Sequence, residues 1–211
     1  MNSNSQKITI VDYGVGNLAS VVNMFRRIGV DAMLGRTPED IMAARKLLLP
    51  GVGAFDHAMG RLRSSGLKEP LEQRVRHDGI PVLGICLGFQ LLGHRSEEGD
   101  EPGLGWLDAE TVRFDTARLR EHDRVPHMAW AEVERPNSSP LFADMEPEPR
   151  FYFVHSYHLR CANPDEVIAR AHHGYSFDAA AESGNVLGVQ FHPEKSHRFG
   201  MQLLRNFAQR Y

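Results

Sequence analysis

The chain has 211 residues, 42% of them hydrophobic and 24% charged, a balance that excludes disordered, collagenous and coiled-coil classes and suits one packed domain over residues 1–211. Lys and Arg number 24 against 27 Asp and Glu, a formal net charge of -3, so no basic surplus points to nucleic acid or an anionic membrane surface. The longest run free of charge and His, Gly79 to Gly93, is shorter than the ~20 apolar residues of a membrane span, and the polar start Met1 to Lys7 lacks the regions of a signal peptide. The expected location is the cytoplasm. In a reducing compartment, two cysteines, Cys86 and Cys161, are thiols and not a disulfide framework.

In chain order, Ile8 to Asp12 reads as the first strand, and Leu18, Val21, Val22, Phe25 and Ile28 fall at helical spacing before the Gly29 stop. Val30 to Leu34 reads as a second strand, and Thr37-Pro38 opens a short helix with Pro at its first position. Lys46 to Leu49 is a third strand, broken by Pro50-Gly51-Val52-Gly53; helices follow over Ala54 to Ser64 and Leu67 to His77. Ile80 to Ile85 is a continuous apolar run of the kind found at the centre of a parallel sheet, and Leu87 to Gly93 begins a helix. From Trp106 the texture turns to strands: Glu110 to Phe114, Phe151 to Leu159, Val167 to Ala171 and Val186 to Phe191, closed by a helix over Phe199 to Gln209. These elements predict an α/β fold: an open mixed, mainly parallel sheet with flanking helices and a strand-rich C-terminal half.

Chemistry concentrates at two places. Gly84-Ile85-Cys86-Leu87-Gly88 puts a thiol where a buried strand meets a helix, a nucleophile elbow with Cys in the Ser position. The glycines admit close backbone approach, and a helix N-terminus favours the thiolate. A thiolate nucleophile needs a base, and the base an orienting acceptor. Gln190-Phe191-His192-Pro193-Glu194 offers both at the end of another apolar strand, where active sites of open α/β sheets gather. Cys86, His192 and Glu194 are therefore the expected catalytic triad. Oxyanion donors are expected at the backbone of Leu87 and in the Gly51-Val52-Gly53 loop. Cys161 has no such frame and reads as structural.

Two weaker signals fail on chemistry. Gly14-Val15-Gly16-Asn17-Leu18-Ala19 fits a dinucleotide loop, but Gly35 and Arg36 stand where the ribose-binding acid belongs. His155 and His158, three apart in one expected strand, should point to opposite faces, and His172-His173 are adjacent, so no metal and no other cofactor is expected.

At these residues the chain resembles the class I glutamine amidotransferases. Asp12 to Asn17, Pro50 to Asp56, Gly84 to Gln90, Ser96 to Gly99, Pro126 to Met128, Phe151 to Tyr157 and Gly188 to Ser196 resemble, within that family, the glutaminase subunits of histidine biosynthesis. The resemblance implies hydrolysis of glutamine to glutamate and ammonia through a Cys86 thioester. It implies substrate contacts from Gln90, Glu98, Ser156 and Tyr157. It also implies a heterodimer with a barrel-type cyclase subunit that makes imidazole glycerol phosphate, docked through Asn17, Met128, Trp130, Tyr152 and Lys195. Ala129 departs from the Gly usual in that family's His-Met-Gly-Trp. Competing readings are a related glutaminase subunit feeding a sugar amidotransferase for surface polysaccharide, a stand-alone cysteine hydrolase, and a non-catalytic binding module.

Overall fold

A computed structural model describes residues 7–211. The first four parallel strands are β1 (Ile8–Val11), β2 (Ala32–Gly35), β3 (Leu47–Gly51) and β4 (Val82–Cys86). β1, β3 and β4 are buried along their whole length and almost wholly apolar, as burial on both faces requires, while β2 at the sheet edge is half-buried up to Gly35. Helices α1 (Leu18–Arg27), α2 (Pro38–Met42), α3 (Phe55–Ser64) and α4 (Lys68–Glu72) connect them. The Thr37 hydroxyl and Asp40 carboxylate cap α2 reciprocally, satisfying amides that have no partner inside the helix. The helix expected over Leu67 to His77 is α only to Glu72. Gln73–His77 forms a π-helical turn, with the Asp78 amide donating to the Gln73 carbonyl at 2.9 Å.

After the elbow helix α5 (Leu87–Gln90) come β5 (Arg95–Ser96), β6 (Ala109–Arg113), β7 (His127–Glu132), β8 (Arg150–His155), β9 (Tyr157–Cys161), β10 (Val167–His173), β11 (Tyr175–Ser183), β12 (Val186–Val189) and α6 (His197–Arg210). The principal sheet has seven strands in the order β10-β11-β12-β4-β3-β1-β2. It is parallel from β12 through β2 and antiparallel where β11 and β10 join. The central pair therefore brings the ends of β4 and β12, which carry Cys86 and lead into His192, to the same edge.

Alternation along the strands divides the core in two. Ile8, Ile10, Leu48, Leu83, Ile85, Leu187 and Val189 face Phe25 of α1 and Leu203, Leu204 and Phe207 of α6. Val11, Leu47, Leu49, Val82 and Val186 face Phe55, Met59 and Leu62 of α3 and Leu71 of α4. Truncating one fully buried ring in such a core costs on the order of 3–5 kcal/mol. Among the described residues no helix is long and apolar enough to cross a membrane.

One expected strand divides. Phe151 to Leu159 becomes β8, paired with β7, and β9, paired with β6 in another sheet. The break at Ser156 resets the alternation of side chains. His155 and His158 consequently do not point apart: their rings lie 5.2 and 4.8 Å from the Phe114 ring centroid. His127 and His173 pack on the same phenyl ring at 6.2 and 5.0 Å. This is a buried aromatic cluster; among the described residues no three His, Cys, Asp or Glu side chains are arranged to hold a metal.

Candidate active site

Cys86 ends β4 with φ +54° and ψ -111°, a region L-residues avoid. The surroundings enforce it. A Cβ on Gly88 would lie 1.9 Å from the Leu49 carbonyl oxygen, and one on Gly84 2.7 Å from the Gly88 carbonyl oxygen. With glycine at both places, α5 folds back onto β3 and β4, and the thiol projects into a cavity of about 310 Å³ while staying 7% exposed.

His192 follows β12 and enters the same cavity. Its amide donates to the Tyr152 carbonyl at 2.9 Å. Pro193 opens a short 3₁₀ turn, Pro193–Lys195, which swings Glu194 back beneath the imidazole. The His192 Nδ1 to Glu194 Oε1 distance is 2.8 Å, with the two side chains only 3% and 4% exposed. Ser196 fastens the turn: its hydroxyl donates to the His192 carbonyl at 2.6 Å and accepts from the Tyr152 amide at 3.0 Å. Burial opposes charging the imidazole, but the negative charge of Cys86 and Glu194 and the hydrogen bond to Glu194 outweigh it and raise His192 to about 9. Nε2 makes no aligned hydrogen bond in this arrangement, nor does Glu194 Oε2.

The expected oxyanion residues sit beside the thiol. Leu87, Val52 and Gly53 line the cavity. Gly51 lies behind them in β3, in register with Cys86, and a Cβ there would meet the Gly88 amide nitrogen at 2.7 Å. The preceding carbonyl, that of Pro50, accepts from the Tyr13 hydroxyl at 2.8 Å. Burial, reinforced by the negative charge of Cys86, keeps that hydroxyl protonated by pushing its pKa far up.

Gln90, Glu98, Ser156 and Tyr157 also line the cavity. Glu98 Oε2 accepts from the Phe55 amide at the start of α3 at 2.9 Å, which fixes the carboxylate at the cavity rim. Sequence reasoning left out His155 and Lys195 as lining residues, and it left out Gln190, whose Nε2 stands 3.8 Å from Cys86 Sγ. No local pattern marks Gln190, because its partners lie far away in sequence. Cys161 sits outside this site, and burial, with Asp178 nearby, pushes its thiol up to about 12.

Four of the expected docking residues gather beside the cavity. Met128 and Trp130 on β7 are 61% and 39% exposed, Trp130 is in register with Tyr152 on β8, and the Lys195 ammonium lies 5.6 Å from the centroid of the Tyr152 ring. Asn17, also exposed, caps α1 by accepting from the Ser20 amide at 3.4 Å.

Residues 9–210 match the family model described as glutamine amidotransferase class-I. The chain belongs to the class-I glutamine amidotransferase family. As a class-I glutamine amidotransferase it is similar to proteins named imidazole glycerol phosphate synthase subunit HisH. That named HisH 2 in Pseudomonas aeruginosa is 50% identical over 96% of this chain and 98% of its own length. The HisH of Bdellovibrio bacteriovorus is 48% identical over 96% and 99%. Among solved structures, a glutamine amidotransferase crystal structure superposes with a TM-score of 0.70 at 21% identity, covering 94% of this chain and 98% of the other. PurLQS from Thermotoga maritima gives a TM-score of 0.70 at 17% identity over 95% and 96%. Likeness at that level speaks for the fold alone.

Proposed function

We propose that this glutamine amidotransferase is the glutaminase subunit of an imidazole glycerol phosphate synthase in histidine biosynthesis, working in the cytoplasm through a Cys86-His192-Glu194 triad. The observation that carries the chemistry is one cavity holding the elbow thiol and a His192 imidazole braced at 2.8 Å by a buried carboxylate. The Cys86 thiolate attacks the side-chain carbonyl carbon of glutamine. The oxygen takes up negative charge beside the Leu87 amide and the Gly51-Val52-Gly53 backbone. His192, as imidazolium, gives its proton to the departing nitrogen, which leaves as ammonia, and a thioester remains on Sγ. Water, deprotonated by His192, then attacks the thioester and releases glutamate and the thiolate. Gln90, Glu98, Ser156 and Tyr157 hold the substrate, and Glu98 suits its α-ammonium group.

Ammonia is largely protonated and unreactive near neutral pH, so the product needs a receiver. We assign that role to a barrel-type cyclase docked on Met128, Trp130, Tyr152 and Lys195, with Asn17 at the margin. An exposed Met and Trp beside the cavity mouth support this, since aromatic residues and Met are enriched in interfaces. A second reading keeps the same chemistry but a different receiver, a sugar amidotransferase. Ala129 in place of the usual Gly, beside Met128 and Trp130, favours it.

Co-purification from the source cell, followed by glutaminase assays with and without the captured protein, tests both. The expected result is capture of a cyclase and stimulation of glutamine hydrolysis by at least about tenfold, a lowering of the barrier by about 1.4 kcal/mol or more. Capture of a sugar amidotransferase instead, with no response to the cyclase, would replace the first reading by the second.

A further inference from the structure

Gln190 lies one residue past β12 and two before His192, and it is 0% exposed. An amide so placed is costly unless its donors and acceptor are engaged. Two contacts engage it, and a third extends the same line. Gln90 Nε2 donates to the Tyr157 carbonyl at 2.9 Å and to Gln190 Oε1 at 3.1 Å, and Gln190 Nε2 faces Cys86 Sγ at 3.8 Å.

The direction of this line is fixed at its far end. A backbone carbonyl only accepts, so Gln90 must turn its NH2 group toward Tyr157. The same NH2 group then meets Gln190, which must offer its oxygen. The NH2 group of Gln190 is left for the sulfur, whichever way either amide is first drawn. An N–H aimed at sulfur stabilises a thiolate more than a thiol, because a hydrogen bond to an ionised acceptor is the stronger. The Tyr157 carbonyl also meets His155 Nδ1 at 2.7 Å, so the anchor of the line is itself held in place.

We propose that Gln190 is a positioning residue of the glutaminase reaction, presenting an N–H to Cys86 through an amide relay that Gln90 and the Tyr157 carbonyl orient. This rests on Cys86 being the nucleophile. The relay joins a wall of the substrate cavity to the reacting atom, so the same Gln90 that borders the substrate also sets the donor on the thiolate.

The test is the pH dependence of Cys86 alkylation by iodoacetamide, read by mass spectrometry of the Cys86 peptide in the absence of glutamine. Gln190→Met keeps the length of the side chain and removes the amide. The expected result is a rise of about one pKa unit in the half-maximal pH, and alkylation near neutral pH slowed by up to about tenfold, the scale of a charge-assisted hydrogen bond. In turnover assays of the complex, kcat should fall while KM for glutamine changes little. Gln90→Met, which removes the orienting link, should give a smaller rise in the same direction in this glutamine-free assay, where the contact of Gln90 with substrate plays no part. It carries the test alone if thermal melting shows Gln190→Met unfolded. Profiles of the folded variants that superimpose on the parent would overturn the relay and leave the nucleophile untouched. Full glutaminase activity in Cys86→Ala would instead overturn the nucleophile itself, and the relay with it.

Discussion

Cys86→Ala is expected to lower glutamine-dependent synthesis by roughly 10⁴-fold or more, while synthesis by the assembled complex from added ammonium salts continues near the parent rate. The expected size follows from removing the group that bonds covalently to substrate, since loss of the nucleophile of a triad costs about as much as loss of the whole triad. The selectivity follows from placement. Cys86 lies at the buried junction of β4 and α5, whereas the exposed Met128 and Trp130 are on β7, so deleting the sulfur leaves the proposed docking face unchanged. Parallel assays with glutamine and with ammonium chloride check this. Loss of both activities would remove the division of labour between glutaminase and synthase.

The second large effect is on stability below neutral pH. His127, His155, His158 and His173 surround Phe114. Burial, helped by neighbouring His173 and opposed by Asp123, lowers His127 from 6.5 to about 4. Burial likewise holds His155 well below its ordinary value and lowers His158, despite the backbone carbonyls each ring meets. The unfolded chain takes up protons at His127, His155 and His158 near pH 6.5 and the folded chain does not. Their effect is therefore absent above about pH 6.5 and destabilising as pH falls from there toward about 4. For His127 alone, a fall from 6.5 to about 4 corresponds to roughly 3 kcal/mol at the low end of the window, a large share of a typical stability of 5–15 kcal/mol. Urea unfolding at several pH values should show a decline beginning near 6.5, before most carboxylates titrate. His127→Phe, which keeps the ring against Phe153 and His173, should make it shallower, leaving the part due to His155 and His158. Equal slopes for parent and variant would show that His127 is not the source.

What could be read in the sequence was what is local. The elbow declares itself in five residues because its chemistry and its steric demand, glycines at 84 and 88 around a strained cysteine, occupy one turn. His192-Pro193-Glu194 is legible for the same reason: the proline opens the turn that brings the carboxylate under the ring. The parallel strands stand out because burial on both faces makes them unbroken apolar runs. Legibility ends where pairing is distant. The rings of His155 and His158 were expected on opposite faces because nothing in Phe151 to Leu159 marks the break at Ser156. β11 (Tyr175–Ser183) contains three consecutive alanines, which carry little strand signal, yet β12 and β10 hold it between them. Gln190 has a polar partner a hundred residues upstream, and only the fold brings the two amides together.

The central claim is that Cys86 receives the γ-glutamyl group with His192 beside it. A glutamine analogue carrying an electrophilic diazoketone in place of its carboxamide tests this directly, because it converts the transient thioester into a stable bond. The account predicts one equivalent of label on the Cys86 peptide, loss of glutaminase activity in proportion, and protection by excess glutamine. Inactivation with the label on Cys161 or any other residue, and Cys86 unmodified, would contradict it.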